Sequence, residues 1–233
     1  MRHLHLLTTL SLIFLIGCSA ETKIIRFPKR PDDIYANSNL KEFFKVNKNP
    51  NVVLRVPNSA DKATSNTNLN QDNNVLYNAI EKELLKQEYS VRDRGLFNEI
   101  INKSGTTDYS KIKDLTNTDL IIEVINIDAK VIYATNKISV TKKRKTKEQI
   151  GNIDYKRYGA SVEFRIIMVR NNEIAGSYKY HYQPCPEGCQ LASFKFSGKK
   201  GSKQVELRET VSVNTLEEFI TLCTRDLIRS FRS

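Results

Sequence analysis

Apolar and polar positions alternate along this chain with several different periods, and each change of period marks an element. Asn51-Val52-Val53-Leu54-Arg55-Val56, halted by Pro57, predicts a first strand. Beyond the polar stretch Asn58 to Asn74, Leu76, Ile80 and Leu84 recur every four residues with Tyr77 and Leu85 beside them, the spacing of an amphipathic helix. Tyr89-Ser90-Val91-Arg92 predicts a second short strand. Leu96, Phe97, Ile100 and Ile101 form one face of a second helix, and Asp108 can cap a short third one through Ile112 and Leu115. Leu120 to Ile127 is a near-continuous branched run, the pattern of a central strand buried on both faces. Val162, Phe164, Ile166 and Met168 line one side of a further strand, Ala160 to Val169. Asn171-Asn172 is a turn signal, and Glu173 to Tyr182 returns as its hairpin partner. Thr215 and Glu218 form a capping box before a last helix with an apolar face of Leu216, Phe219, Ile220, Cys223, Leu227 and Phe231. Helices flanking one mixed sheet make an α/β (α+β) fold over 51–233. Two long insertions, 137–158 and 183–213, join successive elements.

The N-terminus has a different pattern. Arg2, His3 and His5 precede a mainly apolar stretch from Leu6 to Ile16, too short to span a bilayer, which needs ~20 residues. A bland alternative is a short anchor or a buried helix. Leu15-Ile16-Gly17-Cys18 resembles the bacterial lipobox. That resemblance implies a signal peptide over 1–17 and a covalent diacylglycerol and acyl chain on Cys18, with no other cofactor. Ser19 in the next position favours the outer over the inner membrane. Residues 18–50, rich in Lys, Asn and Pro, are expected as a tether, with Phe43-Phe44 able to dock on the domain or on a neighbouring subunit.

Charge narrows the partners. Lys and Arg number 37 against 26 acids, a net +11, and removing Arg2 with the signal leaves about +10. Such a balance suits lipid headgroups, lipopolysaccharide, wall polymers or acidic proteins. Nucleic acid is disfavoured because the chain is expected to be exported. The run Lys142-Lys143-Arg144-Lys145-Thr146-Lys147 is a candidate anionic-surface site at Lys142, Lys143, Arg144, Lys145 and Lys147, or else a solvated loop tip.

Few residues offer chemistry. Cys185-Pro186-Glu187-Gly188-Cys189 in an oxidising compartment is most simply a small structural disulfide. A metal reading would add His181, which leaves a zinc site short of a fourth ligand. Cys223 sits on an apolar helix face, as a buried free thiol does. Asp93 and Arg94 lie at a strand-to-helix junction, where an aspartate caps or complements the helix dipole. The sequence has no Gly-rich phosphate loop and no Gly-x-Ser-x-Gly, so the expectation is a non-enzymatic protein.

Three segments carry a resemblance to a family. They are Tyr89-Ser90-Val91-Arg92-Asp93-Arg94-Gly95-Leu96-Phe97-Asn98-Glu99-Ile100-Ile101, then Asp114-Leu115-Thr116-Asn117-Thr118-Asp119-Leu120-Ile121-Ile122-Glu123, and Glu173-Ile174 before the closing helix. From about Asn51 to the C-terminus the chain resembles the curli secretion-channel lipoprotein (CsgG-like) family, whose relatives include lipoproteins that activate peptidoglycan synthases. The resemblance implies an anticodon-binding-domain-like sheet-and-helix body. It also implies an outer-membrane location facing the periplasm, and protein–protein contact in envelope assembly or secretion with an envelope protein or further copies of itself. In that family's channels, two insertions placed like these cross the membrane as β-hairpins of an oligomeric barrel. The second insertion alternates in part, with Ala192, Phe194 and Phe196 on one strand and Val205, Leu207, Val211 and Val213 on the other. The first is heavily charged at its tip and along its return.

Overall fold

The computed structural model describes residues 22–56, 69–104, 109–142, 144–191 and 210–232. In chain order the elements are β1 (Thr22–Ile25), β2 (Asp33–Ala36), α1 (Ser38–Val46), β3 (Asn51–Arg55), α2 (Leu69–Lys86), β4 (Ser90–Val91) and α3 (Arg94–Ser104). A 3-10 turn (Tyr109–Ile112) leads into the single turn α4 (Lys113–Thr116). Then come β5 (Leu120–Lys142), β6 (Lys145–Met168), β7 (Glu173–Tyr182), β8 (Cys189–Gln190) and α5 (Val213–Arg232). The chain divides into a larger unit, Lys29–Tyr133 with Arg157–Pro184 and Leu207–Ser233, and a smaller one, Met1–Pro28 with Ala134–Lys156 and Cys185–Glu206.

In the larger unit the strands run β2-β7-β6-β5-β3-β4. β3 is parallel to β4 and β5, while β2–β7 and β6–β7 are antiparallel, which makes the fold α+β with a mixed sheet. Parallel β3 and β5 need a crossover, supplied by α2, β4 and α3. Asn51 and Asp119 lock the two strand starts together. The Asn51 N–H donates to the Asp119 carboxylate at 2.9 Å, and the Asp119 N–H donates to the Asn51 carbonyl at 2.8 Å.

One sheet face carries the main core. Val52, Leu54, Leu120, Ile122, Val162, Phe164, Ile166 and Tyr178 pack there against α1, α2 and α5. On α5 the expected residues are buried: Leu216, Phe219, Ile220, Cys223, Leu227 and Phe231. Its start differs from the expectation by one turn. The Ser212 hydroxyl accepts from the Thr215 N–H at 3.3 Å, so Ser212 is the cap and Thr215 already lies in the first turn. Between α2 and α5 the carboxylate of Glu83, 1% exposed, takes both donors of Arg225 at 2.9 and 3.4 Å. These hydrogen bonds hold its pKa below the ordinary carboxylate value.

The expected tether is corrected from Thr22 onward, because that segment folds. Asn37 caps α1 by accepting from the Leu40 N–H at 2.9 Å, and Leu40 and Phe44, one turn apart, are buried. Phe44 stacks on Phe231 of α5 with ring centroids 4.5 Å apart. Of the four apolar side chains on these nine residues only Leu40 and Phe44 are buried, a pattern too short to stand out among Lys and Asn, yet it suffices once α5 and the sheet supply the rest of the contact surface. β2, four residues long, is short for a reason of its own. Continuing its register would pair residue 31 with His181, but Pro31 has no N–H and the Asp32 carboxylate accepts from the His181 N–H instead, at 3.0 Å.

The smaller unit is ordered β6-β5-β1-β8, using the far part of the β5–β6 hairpin. β1 is antiparallel to both neighbours, with Thr22 opposite Thr141, Ile25 opposite Ile138, and Ile25 also opposite Cys189. The first expected insertion is therefore no separate excursion but the continuation of β5 and β6. Cys18 and the expected signal, Asp108, and residues 192–209 of the second insertion lie outside the described residues. No helix among the described residues is long and apolar enough to cross a membrane.

If residues 38–46 are part of the core, Phe44→Ala lowers the unfolding free energy by about 3–4 kcal/mol, as a deleted buried aromatic does. Urea denaturation checks this. A change below about 1 kcal/mol would show that α1 is a dispensable appendage.

Candidate functional site

The basic run expected at a loop tip occupies the turn of the β5–β6 hairpin. Lys142 ends β5, Lys145 opens β6, and Lys142, Arg144, Lys145 and Lys147 are all exposed; Lys143 lies outside the described residues. Thr141 and Thr146 hold the strands together just below, their hydroxyls 2.9 Å apart. Arg144 has φ 63°, in the left-handed region. Asn-Gly is the favoured pair in a turn this tight, and a side chain such as arginine costs roughly 1–2 kcal/mol there. The turn thus places cations where backbone preference favours glycine.

The expected cysteine pair is present in the same unit. Cys185 and Cys189 are disulfide-bonded with Cα atoms 5.3 Å apart. The Gly188 N–H closes the loop onto the Cys185 carbonyl at 2.7 Å, and Gly188 has φ 101°. A Cβ at Gly188 would collide with the Ile24 side chain of β1, so glycine is required twice over. Cys189 then pairs with Ile25, and the Leu191 N–H donates to the Lys23 carbonyl at 2.9 Å. The disulfide fixes the turn that delivers β8 to β1.

With both thiols bonded to each other, neither is available as a thiolate ligand for the metal reading through His181. Among the described residues no three His, Cys, Asp or Glu side chains stand together as cation ligands. His181 belongs to the larger unit, and burial lowers its pKa. Cys223 is a buried free thiol whose pKa burial pushes up, which suppresses the reactive thiolate. Asp93 is the α3 cap, accepting from the Leu96 N–H at 2.6 Å. Arg94 turns to Glu81 at 3.8 Å and lies over the Tyr77 ring.

The larger unit holds a charge cluster on the sheet face opposite the main core, and sequence reasoning missed it. Glu123 of β5 has a side chain only 3% exposed. Arg55 of β3 donates to one of its oxygens at 2.6 Å and Arg165 of β6 to the other at 3.2 Å. Arg55 also donates to the Tyr109 hydroxyl at 2.5 Å. Further across that face Lys179 of β7 meets Glu163 of β6 at 3.6 Å. Both oxygens of Glu123 are committed to guanidinium donors, which makes it a brace across three strands and not a free base. The available signal was an acid inside an apolar run, with an arginine at the end of the first strand. The unit also carries an open groove of about 550 Å³ lined by Glu42, Phe43, Val46, Lys113 and Arg170 among others.

No family model and no curated protein match this chain. Among solved structures it is similar to a PDZ domain protein from Parabacteroides distasonis, at 10% identity and a TM-score of 0.34 over 94% of this chain. The chain spans 39% of that structure's length. A likeness of that size says nothing about activity.

Removing the brace should cost far more than removing the half-exposed pair beside it. Glu123→Ala is expected to destabilise the protein by about 3 kcal/mol, because it removes the nearly buried carboxylate that ties Arg55 of β3 and Arg165 of β6 to β5. Glu163→Ala is expected to change stability by less than about 1 kcal/mol. Paired denaturation curves decide it, and equal effects would contradict the reading of Glu123 as a brace.

Proposed function

We propose that the protein is a non-enzymatic outer-membrane lipoprotein, held by acyl chains on Cys18 and acting by protein–protein contact in envelope assembly or secretion. On this reading its α+β body is anticodon-binding-domain-like, as in CsgG-like proteins, and faces the periplasm. The observation that carries the proposal is Leu15-Ile16-Gly17-Cys18 at the end of a charged-then-apolar leader. The Cys185–Cys189 disulfide supports it, since such bonds persist in oxidising compartments outside the cytoplasm.

A second reading is a subunit of an oligomeric export channel of the curli type. The length of the hairpin favours it: β5 has 23 residues and β6 24, where a lipid-facing strand needs ~9–11. Two features weigh on the other side. β1 takes the edge of β5 that a neighbouring subunit's strand would need to extend a barrel. Exposed Lys137, Glu148, Asp154 and Lys156 also load the stretch that would meet lipid. A tethered module that docks on an envelope enzyme, a peptidoglycan synthase being one candidate, fits those features better than a pore.

Cells fed a clickable fatty acid should label the protein, and Cys18→Ala should abolish the label and move the protein from the membrane to the soluble envelope fraction. An unlabelled protein that fractionates as before would overturn the proposal. Detergent-extracted protein is expected as a monomer by mass, whereas a stable ring would make the channel the correct reading.

A further inference from the structure

We infer that the β5–β6 turn is a headgroup-binding foot: Lys142, Arg144, Lys145 and Lys147 rest on the anionic leaflet in which the acyl chains of Cys18 are embedded. The inference builds on the lipoprotein reading above and adds an orientation to it.

Register carries the argument. Thr22, the first residue of β1, pairs with Thr141, the residue immediately before Lys142. β1 is antiparallel to β5, so the chain leading back toward Cys18 leaves from the end of the smaller unit where the hairpin turns. Three residues, Ser19 to Glu21, separate Cys18 from Thr22, a reach of at most about 14 Å between the two Cα atoms. Paired strands lie about 5 Å apart. An anchored Cys18 therefore keeps the turn within a few tens of ångströms of the headgroups, an effective concentration in at least the millimolar range. The run from Lys142 to Glu148 sets five basic residues against that one acid. The anchor joins a strand that cannot peel away easily, because β1 is paired on both sides and its outer neighbour β8 follows directly from the disulfide turn. Arg144 in the left-handed region fits this role, since the turn favours charge over the preferred glycine. Acyl chains already provide retention, so the foot sets how the smaller unit stands on the membrane.

The test uses the full mature chain, purified in detergent and reconstituted into vesicles of phosphatidylcholine alone or with about one-third phosphatidylglycerol. A water-soluble acetylating reagent is applied, and modification is read peptide by peptide, with Lys103 and Lys179 of the larger unit as references. Acetylation of Lys142, Lys145 and Lys147 is expected to be at least threefold slower, relative to the references, on anionic vesicles at low salt. That protection should vanish near 1 M salt, where the Debye length falls to about 3 Å, and should be absent on neutral vesicles. Equal relative rates on both vesicle types, or protection that survives high salt, would overturn the foot. Flotation with the neutral vesicles reports the acyl anchor separately. Flotation with an unprotected turn defeats this inference alone, whereas failure to float defeats the lipoprotein reading beneath it.

Discussion

The hydrogen-bonded ladder along β5 is the constraint on which both units depend. Over Leu120 to Glu123 it pairs with parallel β3, and over Ile138 to Thr141 with antiparallel β1. Leu120, Ile122 and Val124 face the main core of the larger unit, and so do Ile127 and Ala129, so the facing parity changes once between Val124 and Ile127. A strand whose side chains alternate strictly cannot do this without an irregularity. Slipping β5 by one residue would turn Ile122 onto the face where Glu123 meets its two arginines, and Glu123 into the apolar core. Register here is fixed by both charge and hydrophobicity.

Much of the fold was legible from apolar spacing. The period of four over Leu76 to Leu84 and the long face of α5 are signals from side chains that are buried, and the Val162-to-Ile166 alternation matches β6 because the intervening Glu163 and Arg165 are half-buried charges. What was hidden is structure whose stability comes from elsewhere in the chain. β1 has four residues and β2 four, and neither has a pattern distinguishable from a linker, since what holds each is a ladder to a partner more than a hundred residues away. α1 was hidden for the same reason. The helix cap at Ser212 was missed because Thr215 with Glu218 matches the capping-box pattern by sequence, while the actual cap lies three residues earlier.

The candidate site divides in the same way. The basic turn and the cysteine pair are local in sequence and could be read directly. The Glu123 brace is assembled from β3, β5 and β6, so only its acid was visible. That β1 begins beside the basic turn was hidden altogether, because it depends on the pairing of Thr22 with Thr141. That one pairing brings the chain that leads on from the lipobox-like cysteine in beside the cluster of lysines, two signals that are separate in the sequence. It also gives the disulfide a purpose that the size of its loop would not suggest: so short a loop gains little chain entropy, but it delivers the strand that covers β1.

Hydrogen exchange of the mature chain, read on the peptide spanning Thr22 to Ile25, tests the central claim most directly. With all four residues paired to β5 and Ile24 and Ile25 also to β8, this segment should exchange on the order of a hundred times more slowly than free chain, in step with Ile138 to Thr141. Exchange at the free-chain rate while β5 remains protected would mean that these residues are the flexible tether their composition suggests, and the link between anchor and turn would be lost.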